Sequence, residues 1–235
     1  MAKSFEVLAD LDSPIGRMHL RRRTLPGTSE VITEITVDGS MLMSSLNTVS
    51  ETALATRALA WHGGGDGLRV LVGGLGLGYT AQAALADPRV AHVRVIDRLP
   101  EVIGWMKDGL LPLSDELNAE PRLRIDEGDV YAELLAKPEH EPYDLVLVDV
   151  DHNPRELLDL KSAPFYEWYG QGEVAAHLRP AGVLGVWSSV DDDHFADVLD
   201  EVYPEANREY VRWSNHQVDD GIEIVEVVFL ARADG

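Results

Sequence analysis

The chain contains no cysteine, which excludes disulfides, cysteine nucleophiles and thiolate metal sites. It also lacks any apolar run near the length needed to cross a bilayer, and its opening MAKSFEVLAD lacks the charged-then-apolar pattern of a secretion signal. The cytoplasm is the simplest location to expect. Bases are scarce: 20 Lys and Arg stand against 41 Asp and Glu, a formal net charge of −21. Such a surface repels nucleic acid and anionic membranes and attracts cations. Neither is expected as a partner, and a polyanionic substrate is disfavoured. Aromatic residues are few at 7%, yet hydrophobic residues reach 45% of the 235 positions. That suffices for the core of one large α/β domain with a small appendage.

What is present centres on Arg69 to Ala86, RVLVGGLGLGYTAQAALA. Val70-Leu71-Val72 is a short apolar run of the kind buried on both faces of a parallel sheet. Tyr79 onward is Ala-rich and reads as a helix. Between them lie Gly73, Gly74, Gly76 and Gly78. A strand that ends in alternating glycines and turns into a helix brings backbone close to a ligand and aims free N–H groups at it. The alternative is a glycine turn that only packs strand on helix.

Upstream, residues 1–45 read as a small β-cap. Phe5 to Leu11 and Met18 to Arg22 are strand-like around a Ser13-Pro14-Ile15-Gly16 turn, and Val31 to Val37 and Ser40 to Met43 form a hairpin about Asp38-Gly39. Arg21-Arg22-Arg23 reads as a solvated strand end. Residues 46–235 form the main domain. Thr48-Val-Ser-Glu51 matches a capping box before a helix, and His62 to Gly67 is a glycine-rich connector into the central strand.

Downstream, Val93 to Ile96 is a second strand that ends at Asp97, 19 residues beyond Gly78. In adenosine-binding βαβ units an acid at that place accepts the ribose hydroxyls. Pro100-Glu101 opens a helix. Leu123 to Ile125 is a third strand, followed by Gly128-Asp129-Val130. Asp129 either accepts an adenine amino group or caps the helix that follows. Leu145 to Val148 is a fourth apolar strand and runs into Asp149-Val150-Asp151-His152-Asn153-Pro154, a cluster that should face the same crevice. Two carboxylates and an imidazole there can bind an amine or take its proton. A helix over 164–178, a fifth strand at Val183 to Trp187 and a helix after Asp191-Asp192-Asp193 follow. The acidic triplet suits a helix N-terminus, and no second ligand group stands at a matching spacing, so no metal is expected. Arg208 to Trp213 and Glu223 to Leu230 close the chain as strands around Asp219-Asp220-Gly221.

These motifs in this order resemble the class I S-adenosylmethionine-binding fold and, more narrowly, the spermidine synthase (polyamine aminopropyltransferase) family. The resemblance runs from Ile35 to about Ser189. It rests on Val37-Asp-Gly39, the glycine loop, Val95-Ile-Asp-Arg-Leu-Pro-Glu-Val-Ile103, Pro121-Arg-Leu-Arg-Ile125 with Gly128-Asp129, Tyr143-Asp-Leu-Val-Leu-Val-Asp149, Phe165-Tyr166 and Leu178-Arg-Pro-Ala-Gly-Val183. It implies a Rossmann-like α/β fold, a mainly parallel twisted sheet with helices on both faces, beside the small N-terminal β-domain. It further implies S-adenosylmethionine or its decarboxylated form as the cofactor, a small-molecule acceptor, and a possible homodimer. Gly74, Gly76 and Gly78 would pass under the methionine part, Asp97 would take the ribose, and Asp129 with Val130 the adenine. Asp149 would be the base, with Asp151 and His152 positioning the acceptor.

The sequence departs from that family at three places, one being Val150-Asp-His-Asn-Pro154 where the family usually has Ser-Ser/Thr-Asp-Pro. Leu77 stands where the family's glycine loop carries the acid for the donor amine, and of the family's Tyr-His-Glu amine pocket only Glu51 remains. A buried amine without a carboxylate is costly. The sequence therefore puts methyl transfer from S-adenosylmethionine first. Aminopropyl transfer with Glu51, Asp149 or Asp151 as replacement ligands is the alternative, and aminocarboxypropyl transfer a third. An inactive partner subunit on the same fold is the non-enzymatic reading.

Overall fold

The computed structural model describes residues 5–214 and 221–235. Strands β1 (Phe5–Ser13), β2 (Gly16–Thr24), β3 (Val31–Val37) and β4 (Ser40–Ser44) form an antiparallel meander. Helix α1 (Val49–His62) then leads to β5 (Leu68–Gly73) and α2 (Tyr79–Leu85). Next come β6 (Val90–Asp97), α3 (Pro100–Lys107), α4 (Ser114–Asn118), β7 (Leu123–Glu127), α5 (Val130–Leu134) and β8 (Tyr143–Val148). A 3-10 segment, Leu160–Tyr166, precedes α6 (Trp168–Ala175), and β9 (Leu178–Ser188), α7 (Asp193–Val202), β10 (Glu205–Ser214) and β11 (Glu223–Arg232) complete the chain. Of the expected closing turn, Asp219 and Asp220 lie outside the described residues.

The second sheet has the order β10-β11-β9-β8-β5-β6-β7. Strands β5 to β9 pair in parallel, and β11 runs antiparallel between β9 and β10. The chain order reverses beside β5, between β6 on one side and β8 on the other. In open α/β sheets that is where ligands lie, outside the carboxyl ends of the strands. The central strands are apolar on both faces because both are covered. Val70, Val72, Leu145 and Leu147 pack towards α1 and α2, whereas Leu71, Val146 and Val148 pack with Phe165, Tyr166 and Phe195 on the other side. Among the described residues no helix is long and apolar enough to cross a membrane.

Three local expectations need correction. Thr48 precedes α1 but its hydroxyl caps nothing. Asn47 Oδ1 instead accepts from the Val49 N–H at 3.2 Å, and Glu51 is left free of the capping box. The helix expected over 164–178 is split, because Pro164 lies in the 3-10 segment and α6 begins only at Trp168. Gly170 tightens that corner: a Cβ there would sit 1.8 Å from the Pro164 carbonyl oxygen. The arginine triplet is not a solvated edge. Arg21 and Arg23 each hold one carboxylate oxygen of Glu34 at 2.8 Å, and Glu34 is only 1% exposed; Arg22 donates to the Leu110 carbonyl and ties the meander to the loop between α3 and α4. Finally, α4 was not anticipated, since a five-residue helix carries too little periodicity to read.

Candidate active site

The glycine loop runs from the carboxyl end of β5 to α2. Gly74, Gly76 and Gly78 all have positive φ (93°, 52° and 97°), a region that favours glycine. At Gly74 the requirement is also spatial: a Cβ would lie 2.2 Å from the Asp149 carbonyl oxygen, where this loop crosses the chain leaving β8. Gly78 is pressed against Leu117, while Gly76 faces open space with only Met43 Sδ at 3.8 Å. Leu75 and Leu77 are each 4% exposed and belong to the apolar cluster beneath the loop. Leu77 thus offers a ligand no polar group.

Asp97 ends β6 beside this loop. Its Oδ2 accepts from the Leu75 N–H at 2.7 Å, its Oδ1 from Leu99 at 2.7 Å, and Gly76 adds a further backbone donor. Burial raises its pKa, and these donors act against the rise. The residue expected at the ribose therefore also pins the glycine loop.

Asp129 answers one of its two readings directly. Its Oδ1 accepts from the Tyr131 and Ala132 N–H groups at 3.0 and 3.2 Å and so caps α5. Its Oδ2 lies 3.7 Å from Arg98 Nη1, which is bonded at 2.8 Å to Asp159. One oxygen caps, and the other lies within ion-pair distance of Arg98. Val130 is buried, with its methyls where a Cβ on Gly73 would be.

The residues after β8 part company. Asp149 continues the 145–147 alternation onto the α1 face of the sheet, by the two-residue period of a strand. There its Oδ2 accepts from the buried Thr80 hydroxyl at 3.1 Å. Burial pushes its pKa up to about 6, with the Glu226 charge adding to the rise and Thr80 opposing it. Asp151 does not face an acceptor. It is 2% exposed, and its carboxylate accepts from the Leu158 N–H at 2.7 Å and from the Ser162 and Tyr166 hydroxyls at 3.1 Å. Tyr166 in turn meets Tyr131 at 3.0 Å. Asp151 braces the 151–166 loop from inside, which corrects the expectation that it positions a substrate. His152 is exposed, its ring edge-on to Trp187 at 6.1 Å.

Two groups join Asp149 from elsewhere in the chain. Glu51, released from capping, stands at the start of α1. Burial raises its pKa to about 7, and the charges of Asp149 and then Glu226 reinforce the shift; Ser50 Oγ donates to it at 3.1 Å. Glu226 lies on β11, just beyond the end of β9, because Val227 pairs with Ser188. It is 9% exposed, and Trp213 Nε1 donates to its Oε2 at 2.6 Å. Tyr79, whose pKa burial and then the Glu51 charge raise, closes the near side. Trp187, opposite Val228, shares the face of Glu226 by register, and its buried Nε1 has no partner. The result is three mutually repelling carboxylates walled by Tyr79, Trp187 and Trp213. A cationic amine relieves such repulsion and is favoured by aromatic faces.

Glu226 and Trp213 escaped the sequence reading. A usable signal was present: Glu226 is a lone charge within Ile224-Val-Glu-Val-Val228, a run whose burial demands that a carboxylate have a reason.

The sheet order and its carboxyl-edge crevice define an α/β protein of the Rossmann-like, methyltransferase-type fold. More narrowly the fold is spermidine synthase-like, with the antiparallel N-terminal sheet present. A spermidine synthase solved in complex with the transition-state analogue AdoDATO superposes with a TM-score of 0.72 at 16% identity, over 96% of this chain and 73% of that one. The spermidine synthase from Thermotoga maritima gives 0.70 at 14% identity, over 96% and 72%. No family model and no curated protein matches the sequence.

Proposed function

We propose that the protein is a transferase that takes an aminopropyl group from a decarboxylated S-adenosylmethionine-type donor and passes it to a small cationic amine such as a diamine. The observation that carries this reading is the Glu51–Asp149–Glu226 cluster. Leu77 leaves the donor amine without its expected carboxylate, and the cluster supplies carboxylates that can replace it. Two solved structures of like fold are spermidine synthases, which favours aminopropyl transfer. Methyl transfer, put first on the ground of Leu77, gains no support from these comparisons.

The residues fit a nucleoside donor: Gly76 is open to the crevice, and Asp129 keeps Oδ2 free of the helix cap. Such a donor supplies a carbon on positively charged sulfur that an amine nitrogen can displace, with a neutral thioether leaving. Glu51 and Glu226 hold ammonium groups, and Trp213 fixes Glu226. Asp149, held by Thr80 and with its pKa at about 6, is ionised near neutral pH and receives the proton that the attacking amine gives up. Alignment within this walled pocket contributes the rest of the rate.

The reading is tested by incubating the protein with putrescine and either decarboxylated or intact S-adenosylmethionine. Methylthioadenosine released only with the decarboxylated donor is the expected result. S-adenosylhomocysteine from the intact donor would return the site to methyl transfer. Binding of neither donor in calorimetry would leave the inactive-subunit reading standing. Within the same assay Glu226→Gln is informative. Removing that charge lowers the pKa of Asp149 and Glu51, so the rise of kcat/KM through pH 6–7 should move to lower pH. KM for the amine should rise about tenfold. An unmoved pH profile with an unchanged KM would take Glu226 out of the pocket.

A further inference from the structure

Interior parallel strands are normally apolar on both faces, and the amino ends of β5 and β6 break that rule. Leu71 and Ile96 pack with Val130 and Leu134 of α5. Towards the start of each strand the same face carries Arg69 on β5 and Arg94 and His92 on β6, at two-residue spacing. Edge strand β7 adds Arg124, which stands opposite Arg94 in the ladder. Helix α5 is only five residues long. Past it lies a cavity of about 660 Å³, lined by these four residues with Arg122 and His140. The cavity is at the opposite end of the strands from the crevice. Four arginines meet there in a chain whose 20 Lys and Arg face 41 Asp and Glu.

Like charges facing each other destabilise a sheet, and the acids nearby offset only part of this wall. Arg94 is satisfied by Asp126, Glu133 and the Tyr143 hydroxyl. Arg122 is committed to Glu120 and to the Val90 and Leu85 carbonyls. The remaining donors are not used up. The Arg124 side chain is 74% exposed and gives only its Nε to Asp126, which leaves both Nη groups for a ligand. The Arg69 guanidinium finds one carboxylate, Glu141, at 3.4 Å, and that side chain is itself 74% exposed. Arg69 Nε has no partner. His92 and His140 have no side-chain partner among the described residues. We infer that this cavity binds a multiply charged oxyanion of the phosphate class, clamped by Arg69 and Arg124, with the two imidazoles as further donors. A guanidinium fork matches phosphate oxygens two at a time. Glu139 and Glu141 oppose an anion, so the ligand must offer several oxygens to displace Glu141 from Arg69. No crevice residue takes part, and the inference stands apart from the transferase reading.

Calorimetric titration of the full chain with pyrophosphate and with ATP, in the absence of magnesium and at low ionic strength, tests it. Wild type should bind at least one of the two with Kd below about 1 mM. Arg124→Ala, at an exposed side chain, should weaken that binding about tenfold, the scale of one lost charge-assisted hydrogen bond. Glu141→Gln removes the competing carboxylate and should tighten it about threefold. Equal affinity for the two ligands would assign the cavity to the free oxyanion, and preference for ATP to a phosphate carried on a nucleoside. Binding of neither ligand overturns the inference. So does binding that neither substitution changes, because the anion would then sit elsewhere, the crevice included.

Discussion

Asp149→Asn should lower kcat by two to four orders of magnitude, the usual scale for a positioned proton acceptor, while making the protein more stable at neutral pH. Both effects come from the same burial. With the folded-state pKa raised from 3.8 to about 6, the native chain holds its proton more tightly than the unfolded chain does. The contribution of Asp149 is thus fully present below pH 3.8 and is lost as pH rises towards 6. Glu51 acts in the same direction between 4.5 and about 7. Asparagine keeps the shape and a partner for Thr80 but carries no charge. Urea unfolding at pH 7.5 should therefore show a gain on the order of 2 kcal/mol for the variant, vanishing near pH 4. Loss of activity together with loss of stability at pH 7.5 would mean that the buried charge is compensated by something other than Thr80.

Gly74→Ala should be the most destabilising single substitution in the site. Its φ of 93° is strained for alanine, and the added methyl would lie 2.2 Å from the Asp149 carbonyl oxygen. Both contacts are backbone, so no rotamer change relieves them. A cost of about 3 kcal/mol or more is expected from strain and overpacking combined. Because the clash moves the chain that carries Asp149, activity should fall even at temperatures where the variant is folded. Gly76→Ala, which meets nothing within 3.8 Å, is the control: it has a positive φ but no clash. Urea midpoints for the pair separate the two causes. Equal midpoints would show that φ alone governs this loop.

The parts of this fold that local pattern governs were legible in the sequence. Val70 to Val72, Val93 to Ile96 and Leu145 to Val148 are apolar throughout because both faces of a central parallel strand are covered, and each ends where its expected acid or glycine stands. The alternation that puts Asp149 on the face of Leu145 and Leu147 was equally available. What escaped was decided by distant chain. Asp151 looked like a site residue because it follows a strand end, but Tyr166 and Ser162, more than ten positions away, enclose it. Glu51 read locally as half of a capping box and was tied to an amine only through the family resemblance, whereas the fold brings its charge to Asp149. Glu226 and Trp213 belong to a hairpin whose register with β9 no local motif encodes.

The closing hairpin has a consequence for how such a protein diversifies. On the proposed reading, nucleoside and ammonium groups are handled by separate lengths of chain: the glycine loop and the ends of β6 and β7 on one side, α1 and the β10–β11 ribbon on the other. The ribbon lies at one margin of the sheet, with β10 contributing Trp213 and β11 contributing Glu226. Mutations there can relocate a charge or resize a wall without touching the turns that hold the nucleoside. If the proposed reading holds, amine preference can drift while the nucleoside turns stay fixed, and exchanging this ribbon between relatives is a direct route to new amine specificity.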